Sequence, residues 1–402
     1  MRVLFLSISP VWQIEQRGIY TDLLRKFRNE GVEVYVVTPA ERRFGLKTQL
    51  EQIDGVNILK VRTLNVQHTN LIEKGIATLL LEWQFKRAIK RFLSGISFDL
   101  ILYTTPPITL GSVIGYLKRQ NPNAISYLLL KDIFPQNAVD LGMFSKHNPI
   151  YHIFRRKEIA LYRRSDYIGC MSAANVDYLL KHNDFVNRER VEVAPNSIEL
   201  VSADVNFDRA DVRRSYGLPV DKLIFIYGGN LGRPQGIPFL VECLEANANR
   251  EDCHFLIVGG GTEFPKLNEW CNRNKFENVT LLKHLAKNDY DKLVRSCDVG
   301  LIFLDYRFTI PNYPSRLLSY LEYKMPIIAA TDCATDIGRI AEANGYGYWC
   351  PSCNVETFTQ CVNRYVDNPQ LVAEMGTAGY VFLTENYLVE NTYNAIVNHL
   401  KT

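Results

Sequence analysis

The sequence predicts an α/β protein built as two Rossmann-like, doubly wound domains, and three observations carry that reading. Short runs rich in Val, Ile and Leu recur with helical patterns between them, the rhythm of parallel sheets covered by helices on both faces. At 402 residues the chain has length for two domains of ordinary size. The rhythm is broken once, by the polar, irregular stretch 196–208, which reads as a linker. The expected organisation is therefore 1–200, 209–380, and a tail over 381–402 that reads as part of a bent helix returning to the first domain.

Residues 3–8 form the first strand and run into Ser9-Pro10; a helix over 18–30 and a strand over 32–38 follow. Strands at 56–61, 100–104, 125–130, 167–171 and 191–194 complete the first domain. The first strand opens into Ser7-Ile8-Ser9-Pro10 and not into GxGxxG, which weakens a dinucleotide-dependent oxidoreductase. Residues 71–93 read as an amphipathic helix. Leu71, Ile72, Ile76, Leu79, Leu80, Trp83, Ile89 and Phe92 are apolar, and Lys86, Arg87, Lys90 and Arg91 cluster at the C-terminal end. That pattern fits a membrane-surface helix, or equally a core-packed helix whose charges face water. Thr105-Pro106 and Lys131-Asp132 leave strands at their C-terminal ends, where open α/β sheets bind ligands. Lys131 and Asp132 either do polar work there, or cap the next segment, or pair with each other.

The second domain begins with a strand over 223–227. The turn Gly228-Gly229-Asn230-Leu231-Gly232-Arg233-Pro234-Gln235-Gly236 follows, where bare backbone can approach a phosphate and Arg233 matches its oxygens. Strands over 255–258, 281–284, 299–303 and 326–329 continue the sheet; Gly259-Gly260-Gly261 reads as a packing device. In residues 311–322 two prolines stop the preceding chain, Ser315 stands at an N-cap, and Leu317, Leu318 and Leu321 form an apolar stripe. A helix starting so offers unpaired N–H groups and a positive dipole end to phosphate; Arg316 adds a cation, and Glu322, two turns on, is spaced to accept from a ribose. An ordinary capped helix with a surface Glu is the alternative.

Nine cysteines without a framework spacing argue for a reducing compartment, and Cys350-Pro-Ser-Cys353, lacking a second pair, reads as structural. The start of the chain lacks the long apolar region of a signal peptide, and no apolar run is long enough to span a bilayer. The small net charge of +3 hides an asymmetry: residues 1–200 carry 27 Lys+Arg against 19 Asp+Glu, and the remainder 19 against 24. A basic first half suits an anionic surface; no motif points to nucleic acid.

Asp132-Ile133-Phe134-Pro135, Pro195-Asn196, the Gly229–Gly236 turn and Pro314-Ser315-Arg316-Leu317-Leu318 leading to Glu322 occur in an order and spacing that resembles the retaining GT-B glycosyltransferases of family 4. The likeness runs over nearly the whole chain, and is to the fucosamine-transferase and colanic-acid branch that assembles bacterial O-antigen and capsule repeats. The resemblance implies two Rossmann-like domains around an interdomain cleft. It implies a UDP-sugar donor held by Gly229, Asn230, Gly232, Arg233, Gln235, Pro314, Ser315, Arg316, Leu317 and Glu322, with the base near His284 and Leu285. Asp132, Lys131 and Arg233 would be catalytic. The acceptor, a polyprenyl-diphosphate-linked glycan, would lie near Gln13, Glu15, Gly18, Thr105 and Pro106. The donor sugar would be an N-acetylated hexosamine, 6-deoxy or not, and the enzyme peripheral on the cytoplasmic face of the inner membrane. No cofactor or metal is expected: the leaving diphosphate is neutralised by Arg233 and the helix start, and Asp289-Tyr290-Asp291 reads as helix capping. Three departures stand out. Pro314 replaces the family's first glutamate, Gln235 a lysine, and Lys131 a histidine; we expect Lys131 to restore charge near the phosphates. A nucleotide-sugar epimerase of the same architecture and a catalytically silent glycan-binding subunit are the alternative readings.

Overall fold

The computed structural model describes residues 1–65, 71–201 and 207–400, without the side chains of 71, 72 and 74. The expected contributions of Leu71 and Ile72 to the amphipathic face, and the middle of the expected linker (202–206), lie outside the described residues. The chain forms two compact units, Met1–Glu199 with the stretch from Leu388, and Leu200–Tyr387.

The first unit holds β1 (Arg2–Leu6), α1 (Ile19–Asn29), β2 (Glu33–Glu41), β3 (Gln49–Ile53), β4 (Val56–Thr63), α2 (Leu71–Phe92), β5 (Leu100–Thr104), α3 (Gly111–Gln120), β6 (Ile125–Leu130), α4 (Gln136–Asp140), α5 (Pro149–Arg164), β7 (Tyr167–Cys170), α6 (Ala173–His182) and β8 (Val191–Val193). Its sheet runs β3-β4-β2-β1-β5-β6-β7-β8, parallel except for the β3–β4 hairpin. That hairpin was not expected. Asp54 and Gly55 both take positive φ, the two-residue turn an Asp-Gly pair favours. β5 is buried at every position, which is why it reads as a continuous apolar run. One face of the sheet is covered by α2, α3, α5 and α6, the other by α1 and the last helix.

The second unit holds α7 (Arg209–Ser215), β9 (Leu223–Asn230), α8 (Ile237–Ala246), β10 (Cys253–Gly260), α9 (Phe264–Asn274), β11 (Val279–Lys283), α10 (Lys287–Arg295), β12 (Val299–Phe303), α11 (Arg316–Glu322), β13 (Ile327–Thr331), α12 (Ile337–Ala343), β14 (Gly347–Pro351), α13 (Val355–Asp367) and α14 (Gln370–Asn386). Its sheet, β11-β10-β9-β12-β13-β14, is all parallel. β14 is an addition to the expected strands. Cys350 lies buried in it, Cys353 is exposed, and the two are unbonded thiols.

The single bent helix expected over 380–400 is instead the end of α14 and a separate α15 (Val389–Asn398). α15 belongs to the first unit. Ile396 is in its core, Tyr393 meets Phe27 edge-on at 4.9 Å, and His399, just beyond, stacks on Tyr167 at 3.6 Å. Among the described residues no helix is long and apolar enough to cross a membrane.

Candidate active site

In both sheets the strand order reverses beside the first strand of the unit, at β1/β5 and at β9/β12, and ligands of such sheets bind outside the C-terminal ends at that point. In the second unit β9 extends past its apolar run to Gly228, Gly229 and Asn230. The glycines are required. A Cβ on Gly228 would collide with the Tyr290 ring and hydroxyl, one on Gly259 with the Gly229 carbonyl, and Gly229 itself has φ +127°. The loop after β9 is stitched to the end of β12: Asp305 N–H donates to Pro234 O at 3.0 Å.

Beneath this strand end lies Arg316. Its guanidinium carbon is 4.3 Å from the centroid of the Tyr227 ring, and Nη2 stands 3.4 Å from where a Gly229 Cβ would be. Nη1 is buried without a hydrogen-bond partner, and no carboxylate among the described residues forms an ion pair with it. Burial opposes its charge, yet the phenols of Tyr227 and Tyr320 hold its pKa above the ordinary value. Tyr320 fixes α11 in place: its hydroxyl accepts from Gly228 N–H and reaches Ile226 O, both at 3.2 Å.

The remaining donor-side residues separate into those near this cation and those spent elsewhere. Arg233 is exposed on a 3-10 turn over Arg233–Gln235. Gln235 Oε1 accepts from Asn230 Nδ2 at 3.1 Å and from Gly232 N–H at 3.2 Å, so Asn230 and Gln235 shape the loop. His284 follows β11, exposed, its Cβ 3.9 Å from a Cβ placed on Gly260; Leu285 beside it is half-buried.

The helix start departs from expectation. Ser315 is exposed in helical conformation and its hydroxyl makes no cap bond. Leu317 and Leu318 N–H donate to Pro314 O and Ser315 O, because a seven-residue helix tightens its first turn with i→i+3 bonds. These amides are therefore not free for phosphate. Leu317, with its side chain fully buried and its N–H taken, offers a ligand neither. Glu322 is buried and accepts from Val201 N–H at 3.0 Å.

In the first unit Thr105 Oγ1, fully buried, accepts from the backbone N–H of Lys131 (3.0 Å) and of Asp132 (3.2 Å), while Pro106 is exposed beside it. Lys131 and Asp132 do not pair with each other. Lys131 Nζ donates to Ala194 O at 2.9 Å, and burial pulls its pKa down to about 7. A lysine held so is only partly charged near neutrality, which weakens the expectation that it replaces lost charge. Asp132 accepts from Asn137 at the start of α4 at 2.9 Å, and burial raises its pKa. Gln13 is exposed; Glu15 pairs with Arg28; Gly18 N–H donates to the buried Asp22 at 2.9 Å.

Several site residues were not anticipated: Tyr227, Tyr320, Asp305 and above all Tyr290. Asp289-Tyr290-Asp291 does not cap α10, whose N-cap is Ala286. Asp289 lies in the first turn, Asp291 pairs with Lys287, and Tyr290 forms the floor under Gly228. Among the described residues no three His, Cys, Asp or Glu side chains gather as a metal site.

Two Rossmann-like α/β units in tandem, each with a strand-end site, define the GT-B architecture. Residues 19–202 match the model of Glycosyltransferase Family 4, and residues 208–382 that of Glycosyl transferases group 1. Both matched models are of glycosyltransferases, and they fall one over most of each unit. It is 23% identical over 286 residues, 70% of this chain and 69% of the other, to "Probable glycosyltransferase WbjE" of Pseudomonas aeruginosa. It is 24% identical over 161 residues, 39% of each chain, to "Putative colanic acid biosynthesis glycosyl transferase WcaI" of Escherichia coli K12. In structure it is similar to Anabaena Alr3699/HepE, solved in complex with UDP-glucose, with a TM-score of 0.70 at 17% identity over 100% of this chain and 99% of that one.

Proposed function

We propose that the protein is a retaining glycosyltransferase of bacterial surface-polysaccharide synthesis. It moves a sugar, on our reading an N-acetylated hexosamine, from a UDP-sugar to a polyprenyl-diphosphate-linked glycan at the cytoplasmic face of the inner membrane. The observation that carries the reading is Arg316, a guanidinium buried at the β9/β12 switch point with Nη1 unsatisfied. An unpaired buried charge is costly, and a diphosphate supplies the missing acceptor oxygens. The relatives' names support glycosyl transfer in polysaccharide synthesis, and the UDP-glucose bound to a structural neighbour supports the donor class.

As the bond from the anomeric carbon to the diphosphate breaks, the electron pair goes to the phosphate oxygen. Arg316 from below and Arg233 from the loop tip stabilise that growing charge, and fixed donors of this kind act most strongly where water is scarce. The acceptor hydroxyl bonds to the anomeric carbon on the face the diphosphate leaves and gives up its proton to the departing diphosphate oxygen. The reading assigns charge neutralisation to these guanidinia and requires no metal.

The test is a thermal-shift series with UDP, GDP and ADP, followed by transfer assays in EDTA. A ligand bound only by the folded state raises the melting temperature, so UDP should give the largest rise, and EDTA should leave transfer unchanged. No shift with any nucleoside diphosphate would overturn the reading; isomerisation of a UDP-sugar without acceptor would replace it with an epimerase.

A further inference from the structure

The 22 residues of α2 make it about 33 Å long, whereas the five of β5, the strand it leads into, span about 17 Å. The C-terminal end of α2 delivers the chain to the start of β5, so its N-terminal half overhangs the opposite edge of the sheet. That is the edge bearing Thr105, Lys131 and Asp132. α5 likewise delivers the chain to the start of β7, so its N-terminal end points toward the same edge. Contacts tie the two helices at one level: Lys157 Nζ of α5 to Glu82 Oε2 of α2 at 2.7 Å, and Thr109, just before α3, to Thr78 O at 3.1 Å.

Around this junction the surface is apolar. Ile76, Leu79, Leu80 and Trp83 on α2, and Ile150 and Ile153 on α5, each stand more than two-fifths exposed, Trp83 at 58%. The core is made by the other side of α2, through Leu81, Phe85, Ala88 and Ile89, so the exposed residues are a second apolar face. Its charge is one-sided. Both carboxylates among the described side chains of α2 are engaged, Glu73 with Arg42 and Glu82 with Lys157. Arg87, Lys90, Arg91 and, on α5, Arg156 remain exposed. Of the expected basic quartet, Lys86 is half-buried; Lys86 and Lys90 lie over the Tyr116 ring at 5.9 and 5.1 Å, and Arg87 over the exposed Trp83 at 5.4 Å.

We propose that this ridge is a bilayer-insertion surface, seated in the interfacial layer of an anionic membrane. Its apolar residues do the anchoring, and the cations at the C-terminal end of α2 contribute the attraction to lipid headgroups. A two-fold dimer through the same face would set cation against cation, which favours the anionic bilayer as occupant. The inference deepens the glycosyltransferase reading, on which it rests for the lipid-linked acceptor, by naming the surface that brings the acceptor edge to the lipid.

The test is co-sedimentation of the full chain with phosphatidylglycerol/phosphatidylethanolamine vesicles and with phosphatidylcholine vesicles. We expect binding to the anionic vesicles, about tenfold or more weaker in Leu80→Glu/Trp83→Glu and several-fold weaker in Ile153→Glu. Neutralising Arg87, Lys90 and Arg91 should cost less than the apolar changes at physiological salt. The UDP-induced thermal shift of each variant should equal that of the parent, which separates failure of this surface from failure of the donor site. The proposal falls if the parent ignores anionic vesicles, if the glutamate variants sediment like it, or if lipid-free parent is a dimer that Trp83→Glu dissociates.

Discussion

Each unit buries an arginine against the loop that follows its first strand, and the two are handled differently. Arg25 in α1 is fully provided for: it pairs with Asp22 at 2.6 Å and Glu199 at 2.7 Å, and donates to the carbonyls of Ile14 and Gln16. Arg316 in α11 has an aromatic ring below it, a glycine above it and an unsatisfied Nη1. The amides of the first unit's loop are also satisfied internally, Val11 N–H by Thr38 Oγ1 at 2.8 Å and Ile14 N–H by Asp54 at 3.0 Å. A guanidinium neutralised by its own domain is architecture. On the proposed reading, one left unpaired at a strand-end switch point is a binding group whose counter-ion arrives with the substrate.

The largest expected effect separates these two arginines. Arg25→Met strands the fully buried Asp22 without its cation and should cost about 3–5 kcal/mol, read as a lower denaturation midpoint. Arg316→Met removes an unpaired buried charge and leaves an unbranched apolar side chain in its place, so the ligand-free protein should be as stable as the parent or more so. It should lose the UDP-induced thermal shift, and kcat/KM should fall by roughly 10²–10³. The contrast breaks if Arg316→Met destabilises as Arg25→Met does and still responds to UDP.

The glycines of the two loops give a smaller version of the same contrast. A Cβ on Gly228 meets the Tyr290 ring, so Gly228→Ala should cost about 1–3 kcal/mol and shift the strand end against which Arg316 lies. Donor KM should rise with it. Gly18, in extended backbone, would bring its Cβ only to the Thr21 hydroxyl at 3.1 Å, and Gly18→Ala should be close to neutral in urea melts. Equal losses for both would mean that crowding at Gly228 serves packing alone.

What could be read from the sequence follows the range of the forces involved. Parallel strands buried on both faces announce themselves as apolar runs, so β1, β5, β6 and β12 were legible, as was the glycine turn after β9. The β3–β4 hairpin carries its own signal in Asp54-Gly55, which a strand–helix rhythm does not contain. The cation question was not legible. Arg233 and Arg316 both stand in polar stretches, and only the fold shows that Arg316 is the one seated over Tyr227, distant from it in sequence. Ser315 followed by an apolar stripe has the pattern of a cap, but a helix of seven residues with Pro314 before it closes on itself. The exposed apolar residues of α2, Ile76, Leu79, Leu80 and Trp83, stood in the sequence pattern, but periodicity left open whether they or its other apolar residues meet the core.

The smallest effect concerns the other unit's cation, Lys131. Its folded pKa of about 7 lies below the ordinary lysine value, so between pH 7 and about 10 the unfolded chain binds more protons than the native one. Stability should therefore rise with pH across that window, and the burial cost is felt in full only below pH 7, where both states are protonated. Lys131→Met should flatten this rise in urea melts taken from pH 6 to 10, with the Ala194 carbonyl left unpaired as a small constant penalty. If Lys131 instead serves the donor phosphates, UDP binding raises its pKa, and the parent but not Lys131→Met should take up a proton on binding UDP near pH 7. Calorimetric binding enthalpies in buffers of different ionisation heat read that proton directly. Identical buffer dependence in the two proteins would confine Lys131 to holding the end of β6 against Ala194.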